Sequence, residues 1–316
     1  MNDYLHLLGL LAPVFLLILL GICIRRGGLL SESADQSILR IVVNVFYPSL
    51  IFRSVMAADS LGDVSKLIIP PIVGFLVVAM GAGIAWIAAR AIGLRRGAGL
   101  RTFCFSVSIL NYGYIPIPII SDLYGENELA VLFIFNAGVE FGIWTLGIAM
   151  LSGGSWKNGL SKTINSSAIV LIVALLIKFT GLAPYIPSFV HVVIHNLANC
   201  AIPIGLIIIG ATLNGFIDSK ESPFEIKTSA SSVFLRLMFI PLLMLIFTRL
   251  LPFPLELKRV LVIQAAMPAG ILPIVLAKHY DGQPIVAVRI VIATTLVGVL
   301  TIPFVINFGN WFILGQ

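Results

Sequence analysis

Charge is what this sequence has least of. Only 11% of its 316 residues are Asp, Glu, Lys or Arg, against roughly a quarter in ordinary soluble domains. Hydrophobic residues make up 59%, and the mean hydropathy is +1.07. That deficit excludes a soluble globular domain. Apolar runs of about 20 residues recur along the whole length, each enough to cross roughly 30 Å of hydrocarbon as a helix. Short alternating strands are lacking, which excludes a transmembrane barrel. Cysteine is scarce as well: Cys23, Cys104 and Cys200 fall inside apolar runs without metal-type spacing, so reduced thiols are expected, with no disulfide framework and no metal site. No basic run is interleaved with aromatics, so the pI near 9.4 does not imply a nucleic-acid partner. Zincin, G-x-S-x-G and P-loop motifs are missing, which leaves an intramembrane hydrolase or an ATP-driven pump without its machinery. Neither enzymatic activity nor a cofactor is expected.

What is present is an all-α polytopic pattern. Ten spans can be drawn, at 5–24, 34–56, 67–89, 100–121, 128–151, 163–180, 193–214, 229–250, 259–279 and 284–306. The first has no basic stretch before it and no small-residue cleavage site after it, so it reads as a retained span rather than a signal peptide. Loops after odd-numbered spans hold Arg25, Arg26, Arg90, Arg95, Arg96, Arg101, Lys157, Lys162, Lys220, Lys227 and Lys278; loops after even-numbered spans hold Lys66, Arg249, Lys258 and Arg259. The positive-inside rule then sets the odd loops in the cytoplasm and both termini on the other side, in a bacterial inner membrane. Arg40, Arg53, Lys178, Arg236 and Arg289 lie in or near span ends, where long basic side chains are expected to snorkel to the headgroups.

A polar stretch at 152–162 divides the chain, and the two sides resemble each other. "GYIPIPIISDLYG" from Gly113 aligns with "GILPIVLAKHYDG" from Gly270 at an offset of 157. "NVFYP" from Asn44 aligns with "NCAIP" from Asn199 at 155. Five spans per half is an odd number, so the second half (163–316) enters the membrane in the opposite sense to the first (1–151), giving two inverted five-helix repeats joined by a cytoplasmic linker.

Spans four and nine correspond, and both carry helix breakers: "NYGYIPIP" (Asn111, Tyr112, Gly113, Tyr114, Pro116, Pro118) and "QAAMPAGILP" (Gln264, Met267, Pro268, Gly270, Pro273). Proline removes a donor and clashes with the preceding turn, so each span is expected to split into two half-helices. Freed backbone groups survive at membrane depth only where protein or a water-filled cavity satisfies them. The half-helix starts near Pro116 and Pro273 offer N–H groups with partial positive charge, suited to a carboxylate. The bland alternative is a pair of packing kinks.

Glu140 is the one acidic residue that falls well inside a span, away from its ends, and burying it ionised is expensive, which makes it a candidate proton carrier; the alternative is a quiet pair with Arg289 or Arg236. Asn136, one turn earlier, is positioned to share its cavity. Asn44 and Asn199, each four residues before a proline, are candidates to bridge the carbonyl that proline frees. Tyr112 and Tyr114 flank Gly113 as candidate lids or as packing groups. His191 and His195 share a helix face without a third metal ligand nearby and read as interfacial packing.

"QAAMPAGILPIVLAKHY" is similar to the ninth span of the auxin efflux carrier family, which includes plant PIN-type carriers and bacterial malate permease-like proteins; "NYGYIPIP…LYG" and "ILRIVVNVFYPSLIF" resemble its fourth and second spans. The resemblance implies ten helices, a scaffold from spans one, two, six and seven, a moving domain from spans three to five and eight to ten, crossed breaks at spans four and nine, a substrate-contacting asparagine at Asn111, and a homodimer. It departs from the plant carriers in its short central loop and in lacking an acidic residue in the third span. The function expected is a permease for a small organic anion, such as malate or an auxin-like acid, working by elevator-type alternating access. The alternatives are a sodium- or proton-coupled carrier of the related bile-acid transporter fold, and a non-transporting receptor.

Overall fold

The architecture is taken from a computed structural model that describes residues 2–59, 61–62, 65–94, 97–152, 162–217 and 225–315. Arg95, Arg96, Lys157, Lys220 and most of the expected linker at 152–162 lie outside these. Among the described residues twelve α-helices follow in order: α1 Asn2–Arg26, α2 Ser33–Ala57, α3 Ser65–Ala91, α4 Ala98–Ser108, α5 Pro116–Leu123, α6 Glu126–Ser152, α7 Ser166–Phe179, α8 Ser188–Ile217, α9 Ile226–Leu250, α10 Leu255–Ala266, α11 Leu272–His279 and α12 Pro284–Leu314. Among the described residues there are no strands, only a single antiparallel bridge between Leu110 and Ala269.

Seven helices (α1, α2, α3, α6, α8, α9 and α12) are long and apolar enough to cross a membrane. The protein is therefore an all-helical integral membrane protein. The remaining three expected spans take other forms. The one drawn at 163–180 is α7, whose 14 residues reach only about 21 Å. Those drawn at 100–121 and 259–279 are each two short helices, α4 with α5 and α10 with α11, separated by non-helical backbone.

Proline placement explains several local departures. Pro48 and Pro241 each follow a π-helical turn, Val42–Phe46 and Leu235–Phe239. A proline cannot close the i→i−4 bond, and the wider turn re-pairs the neighbouring carbonyls without ending the helix. Where prolines and glycines cluster more densely, at 111–118 and 268–273, the helix stops outright.

Packing between helices relies on small residues, since apolar side chains gain little by leaving lipid for protein. Along the α1–α8 seam a Cβ on Gly21 would lie 2.0 Å from the Ile207 carbonyl oxygen, and one on Gly210 would lie 1.9 Å from that of Ile18. Along α3–α6, Gly74 and Gly138 face the Phe135 and Pro71 carbonyls in the same reciprocal way. Helix α2 also runs along α7 and α8; α3 along α4; and α12 along α9, α10 and α4. The interrupted pairs α4/α5 and α10/α11 lie among these, and the stretches that lead into the two breaks are deeply buried, with residues 102–110 and 261–270 all buried.

Candidate functional site

The two breaks lie against each other. Past Ser108 the backbone turns extended at Ile109 (φ −93°, ψ 111°), and past Ala266 it does the same at Met267 (φ −73°, ψ 137°). The two extended stretches run antiparallel: Asn111 N–H donates to the Pro268 carbonyl at 2.8 Å, and Gly270 N–H donates to the Ile109 carbonyl at 2.9 Å. Each break thus satisfies amides the other exposes, which is how non-helical backbone is tolerated at membrane depth. Gly270 permits the approach, because a Cβ there would meet the Leu110 carbonyl oxygen at 2.8 Å. Pro116 opens α5 and Pro273 is the second residue of α11, positions at which a missing N–H costs no helical bond. Pro118 is half-buried two residues into α5.

Side chains from neighbouring helices pin this crossing. The Tyr112 carbonyl accepts two amides, Asn136 Nδ2 from α6 at 2.9 Å and Gln264 Nε2 from α10 at 3.2 Å. Ala269 N–H donates to Thr294 Oγ1 of α12 at 3.2 Å. Asn111 turns inward on its own segment, where Oδ1 accepts from the Ile115 N–H at 3.5 Å ahead of α5. Of the residues singled out in sequence, Asn111, Tyr112, Gly270, Gln264, Met267 and Pro268 meet directly in this cluster.

Arg236 enters it from α9 and corrects an expectation. Instead of snorkelling to a headgroup layer it is wholly buried, at 0% exposure, with Nε donating to the Met267 carbonyl at 3.0 Å and Nη2 to the Gln264 carbonyl at 3.5 Å. These are carbonyls at the C-terminal end of α10, where the helix leaves acceptors unpaired and partial negative charge accumulates. Three of the other basic residues near span ends find partners: Arg53 donates to Asn199 Oδ1 at 2.6 Å, Lys178 to the Met56 carbonyl at 3.0 Å, and Arg289 lies 3.9 Å from Glu225. Asn199 is therefore an arginine acceptor and does not bridge the carbonyl freed by Pro203. Asn44 likewise serves elsewhere, donating to the Arg40 carbonyl at 2.8 Å and accepting from Ser166 Oγ.

Tyr114 leaves the crossing toward α8. Its ring lies against Gly205, where a Cβ would fall 2.1 Å from Cε1, and 6.2 Å from the ring of Tyr47 on α2. Gly113 rests against the Tyr47 hydroxyl. One turn further along α6, half-buried Glu140 accepts from Asn165 Nδ2, and Asn165 Oδ1 caps α7 by accepting from the Ala168 N–H at 2.9 Å. Glu140 pairs with neither Arg289 nor Arg236. Asn136, Glu140, Tyr47, Thr163 and Ser167 line one cavity of about 20 Å³, room for a single water. The buried Tyr47 hydroxyl and Asn136 Oδ1 both reach it without a protein hydrogen bond of normal geometry. Among the described residues no group of three or more His, Cys, Asp or Glu stands close enough to hold a metal, and His191 and His195 are both exposed on α8.

An all-helical membrane protein agrees with what sequence comparison returns. A family model described as membrane transport protein matches residues 6–174 and 155–306. The chain belongs to this family, that of the auxin efflux carriers. Two similar proteins are named as transporters. An uncharacterized transporter of Methanothermobacter thermautotrophicus is 26% identical over 295 residues, 92% of this chain and 94% of that protein. An uncharacterized transporter of Methanocaldococcus jannaschii is 23% identical over 290 residues, 89% and 92% of the two chains. The family is one of membrane transporters, not of enzymes.

Three residues around the site of this membrane transport protein escaped sequence reasoning, Thr294, Gly205 and Asn165, and Arg236 was expected at a headgroup layer or beside Glu140. For Thr294 a signal existed, since it stands 158 residues after Asn136 just as Ala269 stands 157 after Tyr112. Extending the repeat past the breaks would have found it. The others carry no local pattern.

Proposed function

We propose that the protein is a secondary transporter that moves a small organic anion, most simply a carboxylate such as malate or an auxin-like acid, by elevator-type alternating access. The antiparallel pairing of the two breaks carries this reading. It sets side by side the breaks that precede α5 and α11, and the partial positive charge at helix starts favours an anion. Asn111, Tyr112, Gly113, Tyr114, Pro116, Pro118, Gln264, Met267, Pro268, Gly270 and Pro273 form the substrate region in this proposal.

Counting α4/α5 and α10/α11 as one interrupted crossing each, and α7 as a short one, gives ten crossings in two inverted repeats. The pinning contacts support that symmetry. Asn136 holds the first break at Tyr112 and Thr294 holds the second at Ala269, at offsets of 158 and 157. The scaffold is α1, α2, α7 and α8, and the remaining helices move. The four ion pairs among the described residues agree with such a division: Arg25–Asp35 joins two scaffold helices, while Lys66–Glu256, Arg259–Glu128 and Arg289–Glu225 stay within the moving group. The reading also takes both termini outside the cytoplasm, in a bacterial inner membrane, with a homodimer formed through the scaffold.

Glu140 sits where the two groups meet, bonded to the cap of α7, and is the proposed proton carrier, with Asn136 beside it. Uptake of radiolabelled malate and indole-3-acetate into liposomes tests the whole proposal. Saturable flux with a pH optimum that flattens in Glu140→Gln is expected. Absence of flux for every carboxylate tried would leave a receptor, and an unchanged pH profile in Glu140→Gln would remove the proton role.

A further inference from the structure

Arg236 has donors that its structural task does not use. Nε and Nη2 take up the Met267 and Gln264 carbonyls at the end of α10, while Nη1 is buried with no hydrogen-bond partner. Two carbonyls could be capped by a neutral amide, so the formal charge needs its own reason. An unpaired charge at membrane depth is costly, and intramembrane arginines are kept where something answers them.

Nothing in the neighbouring chain does. Arg236 is in none of the ion pairs among the described residues. The helices packed on its π-turn are α4 and α12 together with the rest of α9, and they contain no Asp or Glu; neither do the two breaks, 109–115 and 267–271. The single carboxylate on α10 is Glu256, eight residues or about 12 Å from Gln264 along the helix, and it is taken by Lys66 at 2.6 Å. A second orphan stands beside the arginine's carbonyl partner, since Gln264 Oε1 is buried without a donor.

We infer that Arg236 is the anion-recognising residue of the transporter: its free Nη1 pairs with the carboxylate of the cargo, which supplies the counter-charge that the protein withholds. The inference rests on the organic-anion reading above and adds to it a named side chain. The two halves then contribute unequally. The first break has Ser108 at its helix end, facing Gly81 of α3 and its own Phe105 carbonyl, so charge selection belongs to the second break alone.

The test is a thermal-shift titration of the purified protein in detergent with malate, succinate and indole-3-acetate, each beside its uncharged amide. At least one carboxylate, and not its amide, should stabilise the wild type, and Arg236→Gln should weaken that response by at least about 10-fold, as loss of a buried charged partner does. Equal affinity in Arg236→Gln and wild type overturns the inference while leaving the transport reading intact. No response from the wild type to any carboxylate withdraws the organic-anion reading and this inference together. Should Arg236→Gln not fold, Arg236→Lys keeps the charge and loses the fork; it should still prefer the carboxylate to its amide, with weaker affinity, and a folded Arg236→Lys that responds equally to acid and amide overturns the assignment.

Discussion

Replacing Gly270 with alanine tests whether the two breaks touch as described. The new Cβ would stand 2.8 Å from the Leu110 carbonyl oxygen and 3.3 Å from its carbon. Ordinary contact begins near 3.4 Å, so the two stretches must part by about 0.6 Å. The Gly270 N–H to Ile109 bond, now 2.9 Å, then lengthens to about 3.5 Å, beyond useful geometry. Leaving a buried amide unsatisfied costs about 1–3 kcal/mol. At about 2–4 °C per kcal/mol for larger chains, the melting temperature should fall by several degrees. Gly83→Ala is the control: nothing lies within 4 Å of a Cβ at that position in the middle of α3, and alanine there should gain about 0.5–1 kcal/mol from helix propensity. Melting curves of the three proteins in one detergent decide the matter. A Gly270→Ala protein as stable as wild type would mean that the breaks do not press on each other.

Three further outcomes are expected. Thr294→Val removes the acceptor for the Ala269 amide and should cost about 1–3 kcal/mol in thermal melting, with Thr294→Ser restoring most of it. Gly205→Ala puts a methyl 2.1 Å from Tyr114 Cε1 and should cost about 1–3 kcal/mol by overpacking; in Gly205→Ala/Tyr114→Ala the penalty should shrink, and strict additivity in that double-mutant cycle would disprove the contact. Glu128 is 4% exposed and bonded to Arg259, itself 28% exposed, at 2.6 Å. Glu128→Gln should therefore destabilise by about 1–3 kcal/mol, less than a fully buried pair would lose, and adding Arg259→Gln should recover part of it.

Hydrophobic length and breaker placement made most of this legible in advance. Runs near 20 apolar residues mark the seven long helices, and Pro116 with Pro273 mark where spans four and nine give way, because proline's missing donor acts locally whatever surrounds it. The repeat offset found between Gly113 and Gly270 also foretold that the two breaks would be partners. Tertiary geometry was not legible in the same way. Arg236 sits five residues before Pro241 in an otherwise apolar run, and its sequence neighbours are those of any snorkelling arginine; only the burial of the π-turn on which it rides separates the two cases. Asn199 misled for a related reason, since its spacing to Pro203 suggested local capping, whereas its partner, Arg53, comes from 146 residues away. Pairings between distant helices leave no periodic trace.

The confinement of ion pairs has a kinetic consequence. If the proposed boundary between scaffold and moving helices is the sliding surface, no Arg–Asp or Lys–Glu clasp among the described residues must be torn open and remade at each stroke. What resists the stroke is the grip of tyrosine and glycine surfaces together with a few neutral or singly charged hydrogen bonds such as Asn165 to Glu140. Added electrolyte should then leave turnover nearly untouched, whereas temperature and membrane fluidity should govern its pace.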